Sequence, residues 1–353
     1  MLFRYPYLRN HSANKLNQHL ILFFRKLRNV GRASSFLPYN VYFHPDFVLH
    51  LDNSPKLVEK FQKFFNVFRN LSAANKSNVI KCFFDCQSIH KIIEDELFDA
   101  SHLKIGAMPA SIRKSIKELF AHMYPSTLNS IGDLSDHWQQ IYGEIFGVRK
   151  LKVCPFCSIE PLYPPKIRRQ DYDHILKQET YPFASVNMMN LIPMGRDCNQ
   201  IFKGRKDSIY NGAARRAFAN PYKTFANITI DLNGSILPNR TTAAYGNWSI
   251  TLNPANKFTS TWDQVFDIKK RYSETMLMRY FDDWLGFFIE VKKRNNVAIT
   301  THQQLIAHLN DEADLFSRQP LIEAHIIKSA LFTYLAACGD AIYYNAILAQ
   351  LNS

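Results

Sequence analysis

The sequence predicts an α+β protein, with a small irregular core set between two mostly α-helical regions. Three observations carry that prediction. Large apolar residues recur at helical spacing through residues 1–147, lose that spacing over 148–212, and regain it after a single hairpin signal in 213–353. Of 353 residues, 46% are hydrophobic and 14% aromatic, which supplies packed cores and excludes wholesale disorder. No run approaches the ~18 apolar residues of a membrane helix. Twelve glycines and sixteen prolines without a recurring period exclude collagen-like and repeat architectures.

In the N-terminal region Ser54-Pro55 opens a helix whose Leu57, Phe61, Phe64, Phe65 and Phe68 share one face. A second helix carries Val79, Cys82, Phe83 and Cys86, and a third Ile112, Ile116, Leu119, Phe120 and Met123. A fourth, capped near Ser135, presents Trp138, Ile141, Tyr142 and Ile145. Gly143 and Gly147 weaken its last turn and set a boundary just before Val148. In the C-terminal region Ile228 to Ile236 alternates around Asn233-Gly234, the dipeptide that best signals a tight hairpin. Helices then begin at Trp262, Val265, Phe266, Lys269 and Tyr272, span Leu305 to Leu315, and run unbroken from Ile322 to Leu351.

The chain carries 43 Lys and Arg against 30 Asp and Glu, a net charge of +13. Residues 1–45 hold seven basic residues (Arg4, Arg9, Lys15, Arg25, Lys26, Arg28, Arg32) and no acidic one, the pattern of a basic arm. Residues 149–206 hold eleven basic and five acidic residues, and the remainder is balanced. A surplus confined to two blocks points to a polyanionic partner, nucleic acid rather than membrane. Six cysteines in so long a chain do not form a disulfide framework. Cys82 and Cys86 predict a buried helical face, and Cys338 the core of the last helix. The early apolar run, Leu20 to Phe24, is too short for a secretory signal and is followed by Arg25-Lys26. A cytoplasmic, reducing location is expected.

The chemistry concentrates in 150–206. Cys154-Pro155-Phe156-Cys157 is a knuckle whose two thiolates can face one metal. Asp171-Tyr172-Asp173-His174 follows, then Asn190-Leu191-Ile192-Pro193, then Asp197-Cys198-Asn199 and Lys203-Gly204. In this order and spacing the segment resembles the ββα-metal core of the HNH endonuclease family, whose pattern runs C-x-x-C, D-H, N-L, C-x-x-C-N-x-x-K. The resemblance covers about a sixth of the chain. Asn220-Pro221-Tyr222 and the stretch from Trp262 through Arg271-Tyr272 are faintly similar to stand-alone bacterial HNH nucleases, phage-defence effectors among them.

Hydrolysis of a phosphodiester needs a general base on water and a cation to offset charge on the phosphate. His174 is the candidate base, since a neutral imidazole is available near pH 7. Asp173 offers a hard anionic oxygen and Asn199 a neutral carbonyl oxygen, a set suited to Mg²⁺ or Mn²⁺. The resemblance implies that a hairpin carries the Asp-His pair and a following helix carries Asn199. It also implies that Asn190 orders the intervening loop, and Lys203 is placed to hold a phosphate oxygen. Asp171 either helps to orient metal or is a structural strand carboxylate.

Two departures stand out. Gly195 replaces one cysteine of the second C-x-x-C, and Lys177 replaces the usual proline three residues after His174. Cys154, Cys157 and Cys198 thus match three of four zinc positions. Asp197, or a distant histidine such as His137 or His302, could complete a structural Zn²⁺ site; otherwise the three cysteines pack without metal. The expected function is a metal-dependent endonuclease, with DNA preferred over RNA and helical flanks that grip phosphates or a partner protein. The alternative is a non-catalytic nucleic-acid-binding module built on a degenerate zinc knuckle. The missing cysteine favours the binder, and retention of Asp173, His174 and Asn199 together favours the enzyme.

Overall fold

A computed structural model describes residues 4–148, 152–223, 228–238, 246–320 and 322–353. The basic N-terminal segment is no free arm. It forms α1 (Lys15–Leu27), in which Leu16, Leu20, Phe23, Phe24 and Leu27 recur at three- and four-residue spacing and are fully buried. The basic side chains interleaved with them stay exposed. An apolar face of this kind must be covered. His19 stacks on Phe47 of α2 (Pro45–Asp52), Phe23 meets Phe61 of α3 (Pro55–Arg69) at 5.1 Å, and Phe24 stacks on Phe83 of α4 (Ala73–Asp85) at 3.7 Å.

The predicted apolar faces of α3 and α4 are buried, with Cys82 and Cys86 among them. α5 (Ile89–Glu94) follows, and α6 (Ala110–His122) packs on α3 through Ile112, Ile116, Leu119 and Phe120. After α7 (Leu128–Gly132) comes α8 (Leu134–Tyr142), which buries Trp138 and Ile141. Its cap is Asp133, two residues before the expected Ser135, because the Asp133 carboxylate accepts the Asp136 N–H at 3.0 Å. Wide helical turns continue to Val148.

The middle of the chain holds little regular structure. β1 (Tyr172–His174) pairs antiparallel with β2 (Leu191–Pro193), Asp173 lying opposite Ile192 and His174 opposite Leu191. A π-helical turn, Cys198–Lys203, follows directly. β3 (Tyr210–Asn211) and β4 (Ala214–Arg215) make a second small hairpin.

β5 (Thr229–Asp231) pairs with β6 (Thr251–Asn253), so Asn233-Gly234 is not the hairpin's end. The two residues form a turn inside one arm, Ser235 N–H bonding back to Leu232 O at 3.0 Å, and the pairing resumes at Ile236 with Asn247. An extra residue in that arm is absorbed there as a bulge.

Helices then return as α9 (Lys257–Phe266), α10 (Ile268–Lys270), a π-helical stretch Arg271–Leu277, and α11 (Met278–Arg294). Asp267 takes a left-handed conformation between α9 and α10 and breaks the single helix expected there. α12 (His302–Ser317) carries a capping box between Thr301 and Gln304. The expected long final helix is two, α13 (His325–Ala337) and α14 (Ala341–Leu351), bent by 110°. Gly339 sits at φ +66° and Asp340 caps the second helix, which leaves Cys338 half-buried at the break rather than in a core. Among the described residues no single helix is long and apolar enough to cross a membrane.

One apolar core runs through all three regions. Phe183, in the loop between β1 and β2, meets Phe24 at 5.5 Å and Phe120 at 5.2 Å, and Phe156 of the knuckle meets Phe266 of α9 at 5.0 Å. The helical flanks therefore hold the small middle segment in place. Phe24→Ala should cost about 3–5 kcal/mol, whereas Arg25→Gln should stay within about 0.5 kcal/mol of wild type. Urea unfolding measures both, and a wild-type midpoint for Phe24→Ala would contradict a core role for α1.

Candidate functional site

β1 is pinned from the helical flank. The Tyr172 hydroxyl bonds His137 of α8, and the Tyr124 hydroxyl donates to the Tyr172 carbonyl at 3.1 Å. Burial is the main cause that pushes the His137 pKa down to about 3, so the ring serves this bond as a neutral group. On the neighbouring strand, the Tyr222 hydroxyl donates to the Leu191 carbonyl.

Asn190 stands at the start of β2 with its side chain fully buried. Its Oδ1 accepts the Leu176 N–H at 2.7 Å, and its Nδ2 donates to the Leu176 and Ala184 carbonyls at 3.0 and 3.1 Å. The amide thus closes the loop between β1 and β2 and touches neither Asp173 nor His174. Backbone bonds extend the ladder at both ends, from Ile175 N–H to Asn190 O and from Met194 N–H to Asp171 O.

That loop delivers the Ser185 carbonyl to 3.0 Å from His174 Nε2. A carbonyl only accepts, so Nε2 carries the proton, and the neutral ring presents Nδ1 as a lone-pair acceptor. The ring stands edge-to-face with Tyr124, centroids 4.4 Å apart, in a residue that is half-buried overall. Burial pushes its pKa down to about 4; the Ser185 carbonyl opposes that shift and the Lys203 charge adds to it.

Asp173 projects from the opposite face of the strand, as the twofold alternation requires. Its two carboxylate oxygens lie 3.1 and 2.9 Å from Lys203 Nζ, which also donates to the His174 carbonyl at 2.9 Å. Lys203 was expected to hold a phosphate oxygen. Instead it is 3% exposed and turned inward. The turn that carries it is π-helical, Gly204 N–H reaching back five residues to Asn199 O, and four residues rather than three separate Asn199 from Lys203.

Burial raises the Asp173 carboxyl above its ordinary range despite the pull of Lys203, with Lys177 adding a smaller attraction. An under-compensated buried carboxylate is a place where a further cation is welcome. Asn199 is half-buried on the first turn of the same helix. The oxygen donors of Asp173 and Asn199 fit Mg²⁺ or Mn²⁺ in kind, with Lys203 sharing the carboxylate. Asp171, just before β1, pairs with Arg168 at 2.8 Å.

Lys177 also lines a cavity of about 600 Å³ together with Lys104, Arg205, Lys206, Arg216 and Asp207. Five cations face two carboxylates there, Asp207 and Asp267, the latter paired with Lys206 at 2.8 Å, so the wall is net basic.

The sulfurs of Cys154, Cys157 and Cys198 lie within 4.8 Å of one another, fully buried, and could hold a metal ion. Gly195 N–H points at Cys154 Sγ (3.4 Å) and Glu160 N–H at Cys157 Sγ (3.5 Å). Arg271, 5% exposed, donates to Cys198 Sγ at 3.2 Å and lies over the Phe202 ring. Desolvation opposes ionisation of Cys157, yet bonds from Cys154 and Cys198 and the Arg271 charge hold it well below the usual thiol range. From the C-terminal helices, Trp262 donates to the Phe156 carbonyl and Tyr272 to the Cys157 carbonyl.

Neither histidine considered as a fourth ligand is in the cluster: His137 serves Tyr172, and His302 bonds Asn345. Asp197 is exposed. Two residues beside the cluster were not legible as such, Glu160 and Arg271. Glu160 lies three positions beyond Cys157, the only local signal; Arg271 is distant in sequence. Comparisons of the chain with protein-family models, curated proteins and solved structures gave no match.

Replacing Asn190 with alanine leaves the buried Leu176 N–H and carbonyl unpaired, each worth about 1–3 kcal/mol, and leaves the Ala184 carbonyl with the Asn187 N–H alone. Asn190→Ala should therefore lower stability by several kcal/mol in urea, and Asn190→Asp should recover only part of it. A fully stable Asn190→Ala would show that the loop is held by packing alone.

Proposed function

We propose that the chain is a metal-dependent endonuclease of the HNH class, hydrolysing phosphodiester bonds in DNA in preference to RNA. The observation that carries the reading is the neutral His174 ring, its Nε2 proton committed to Ser185 and its Nδ1 without a hydrogen-bond partner among the described residues, on a strand whose next residue back is an acidic oxygen donor. In this reading His174 Nδ1 takes the proton from the attacking water. Asp173 and Asn199 would hold Mg²⁺ or Mn²⁺. The bound cation supplies charge stabilisation at the phosphate and the leaving oxygen.

Lys203 has no phosphate to hold; it fixes the orientation of Asp173 and of the β1 backbone. The binding of flanking phosphates falls to Lys177, Arg205 and Lys206 at the cavity wall and to the exposed cations of α1. Such contacts carry affinity, not sequence, and weaken with salt. The cysteine cluster, with Zn²⁺, would be a structural scaffold for the turn that carries Asn199 and Lys203. A role in antiviral defence rests on resemblance alone.

The closed Asp173–Lys203 pair favours a second reading, a nucleic-acid binder with no catalysis, since a carboxylate already held by an ammonium has less need of a metal. Plasmid nicking separates the two. Wild type should nick with Mg²⁺ or Mn²⁺ and stop in EDTA. His174→Ala should cut about 10²–10⁴ times more slowly while binding DNA normally. Asp173→Ala should weaken metal dependence more than Asn199→Ala, because a charged ligand is lost. Cleavage by His174→Ala at the wild-type rate, or cleavage that persists in EDTA, would refute the enzyme; binding without any cleavage would establish the binder.

A further inference from the structure

We propose that Glu160 replaces the missing fourth cysteine, so that Cys154, Cys157, Cys198 and Glu160 form a zinc site with Arg271 as its buried counter-charge. The first observation is steric. A Cβ built on Gly195 would lie 2.1 Å from Glu160 Oε2 and 2.5 Å from its carboxyl carbon. The carboxylate therefore occupies the space that a side chain at position 195 would need, and glycine is the residue that leaves it open.

The second observation is polar. The Asp197 N–H points at the two Glu160 oxygens at 3.1 and 3.2 Å, and the Cys198 N–H at Oε2 at 3.5 Å. Backbone N–H groups around the knuckle aim at the other ligand atoms in the same manner, Gly195 at Cys154 and Glu160 at Cys157. The carboxylate thus receives the hydrogen bonds that a thiolate at position 195 would attract.

The third observation is charge. Arg271 is a buried cation whose partner at the cluster is Cys198. Neutral thiols do not offset a buried guanidinium, so the cluster must be anionic. A dication with three thiolates and one carboxylate leaves two negative charges, the same as a four-thiolate site, and Arg271 offsets one. On ligation each thiol gives its proton to solvent. The carboxylate stands beside the sulfur group rather than inside it. To reach the ~2.0–2.2 Å of a zinc–oxygen bond, the half-buried Glu160 side chain would have to turn toward the sulfurs when the metal binds.

This site is structural, and it stands or falls independently of the nuclease reading. The test uses full-length protein expressed with zinc, purified without chelator, and read by elemental analysis and by the visible spectrum after Co²⁺ exchange. Wild type should hold about one zinc per chain in a closed tetrahedral site with three sulfurs. Glu160→Ala should lose at least about tenfold in zinc affinity, and its Co²⁺ spectrum should shift on addition of imidazole, which enters the opened position.

The double variant Glu160→Ala with Gly195→Cys removes the clash and restores a fourth thiolate. It should regain wild-type zinc content with stronger sulfur-to-cobalt bands, whether or not Glu160→Ala folds. Folded wild type without zinc, or a Glu160→Ala protein with unchanged affinity and spectrum, would overturn the assignment. A double variant that fails to recover zinc would also overturn it.

Discussion

The buried amide of Asn190 is the constraint on which the candidate site depends. It bonds Leu176 through both its oxygen and its nitrogen and reaches the Ala184 carbonyl as well. Those bonds fold the segment after β1 back on itself and bring Ser185 under His174. The tautomer of the proposed base is therefore decided by a residue that never touches it. Phe183 anchors the same loop from the other direction, among Phe24, Phe83 and Phe120 of the N-terminal helices. A polar clamp and an apolar clamp on one loop give preorganisation that two three-residue strands could not supply alone.

The cysteine knuckle is a second hub. Cys154 N–H closes its loop on the Glu160 carbonyl at 2.7 Å. Trp262 and Tyr272 grip the knuckle from the segment that follows β6, Arg271 bonds Cys198 beside it, and Ala324 N–H bonds the Ser158 carbonyl just before α13. So small a core buries too little to stand alone. The long helical regions on either side are what it leans on, which accounts for a functional segment that is a minor fraction of the chain.

How much could be read in advance follows from how local each signal is. Large apolar residues at helical spacing announce α3 and α6, and the helices are there. The Asp-His pair and Asn190 are local to strands that pair as expected. The basic segment reads as an arm by its charge, yet Leu16, Leu20, Phe23 and Leu27 make it a core helix with the charges on its exposed face. Asn233-Gly234 is a sound turn signal, but a turn inside one arm of a longer hairpin has the same local sequence as its end. Lys203 is carried inward by a π-helical turn, and Glu160 meets Gly195 across 35 positions of chain. Such contacts act through space and leave no spacing to read.

The proposed catalysis requires that the fold present a neutral His174 with its proton on Nε2. Nitrogen-15 NMR of labelled histidine, with His174→Ala to assign the signal, measures this directly between pH 7 and pH 4. The prediction is a neutral Nε2–H ring through pH 5 and a midpoint near about 4. The unfolded chain takes its proton nearer about 6.5. The ring's contribution to stability is accordingly full above that pH and is lost as pH falls toward the folded value. A midpoint near about 6.5, or a neutral ring protonated on Nδ1, would contradict the account.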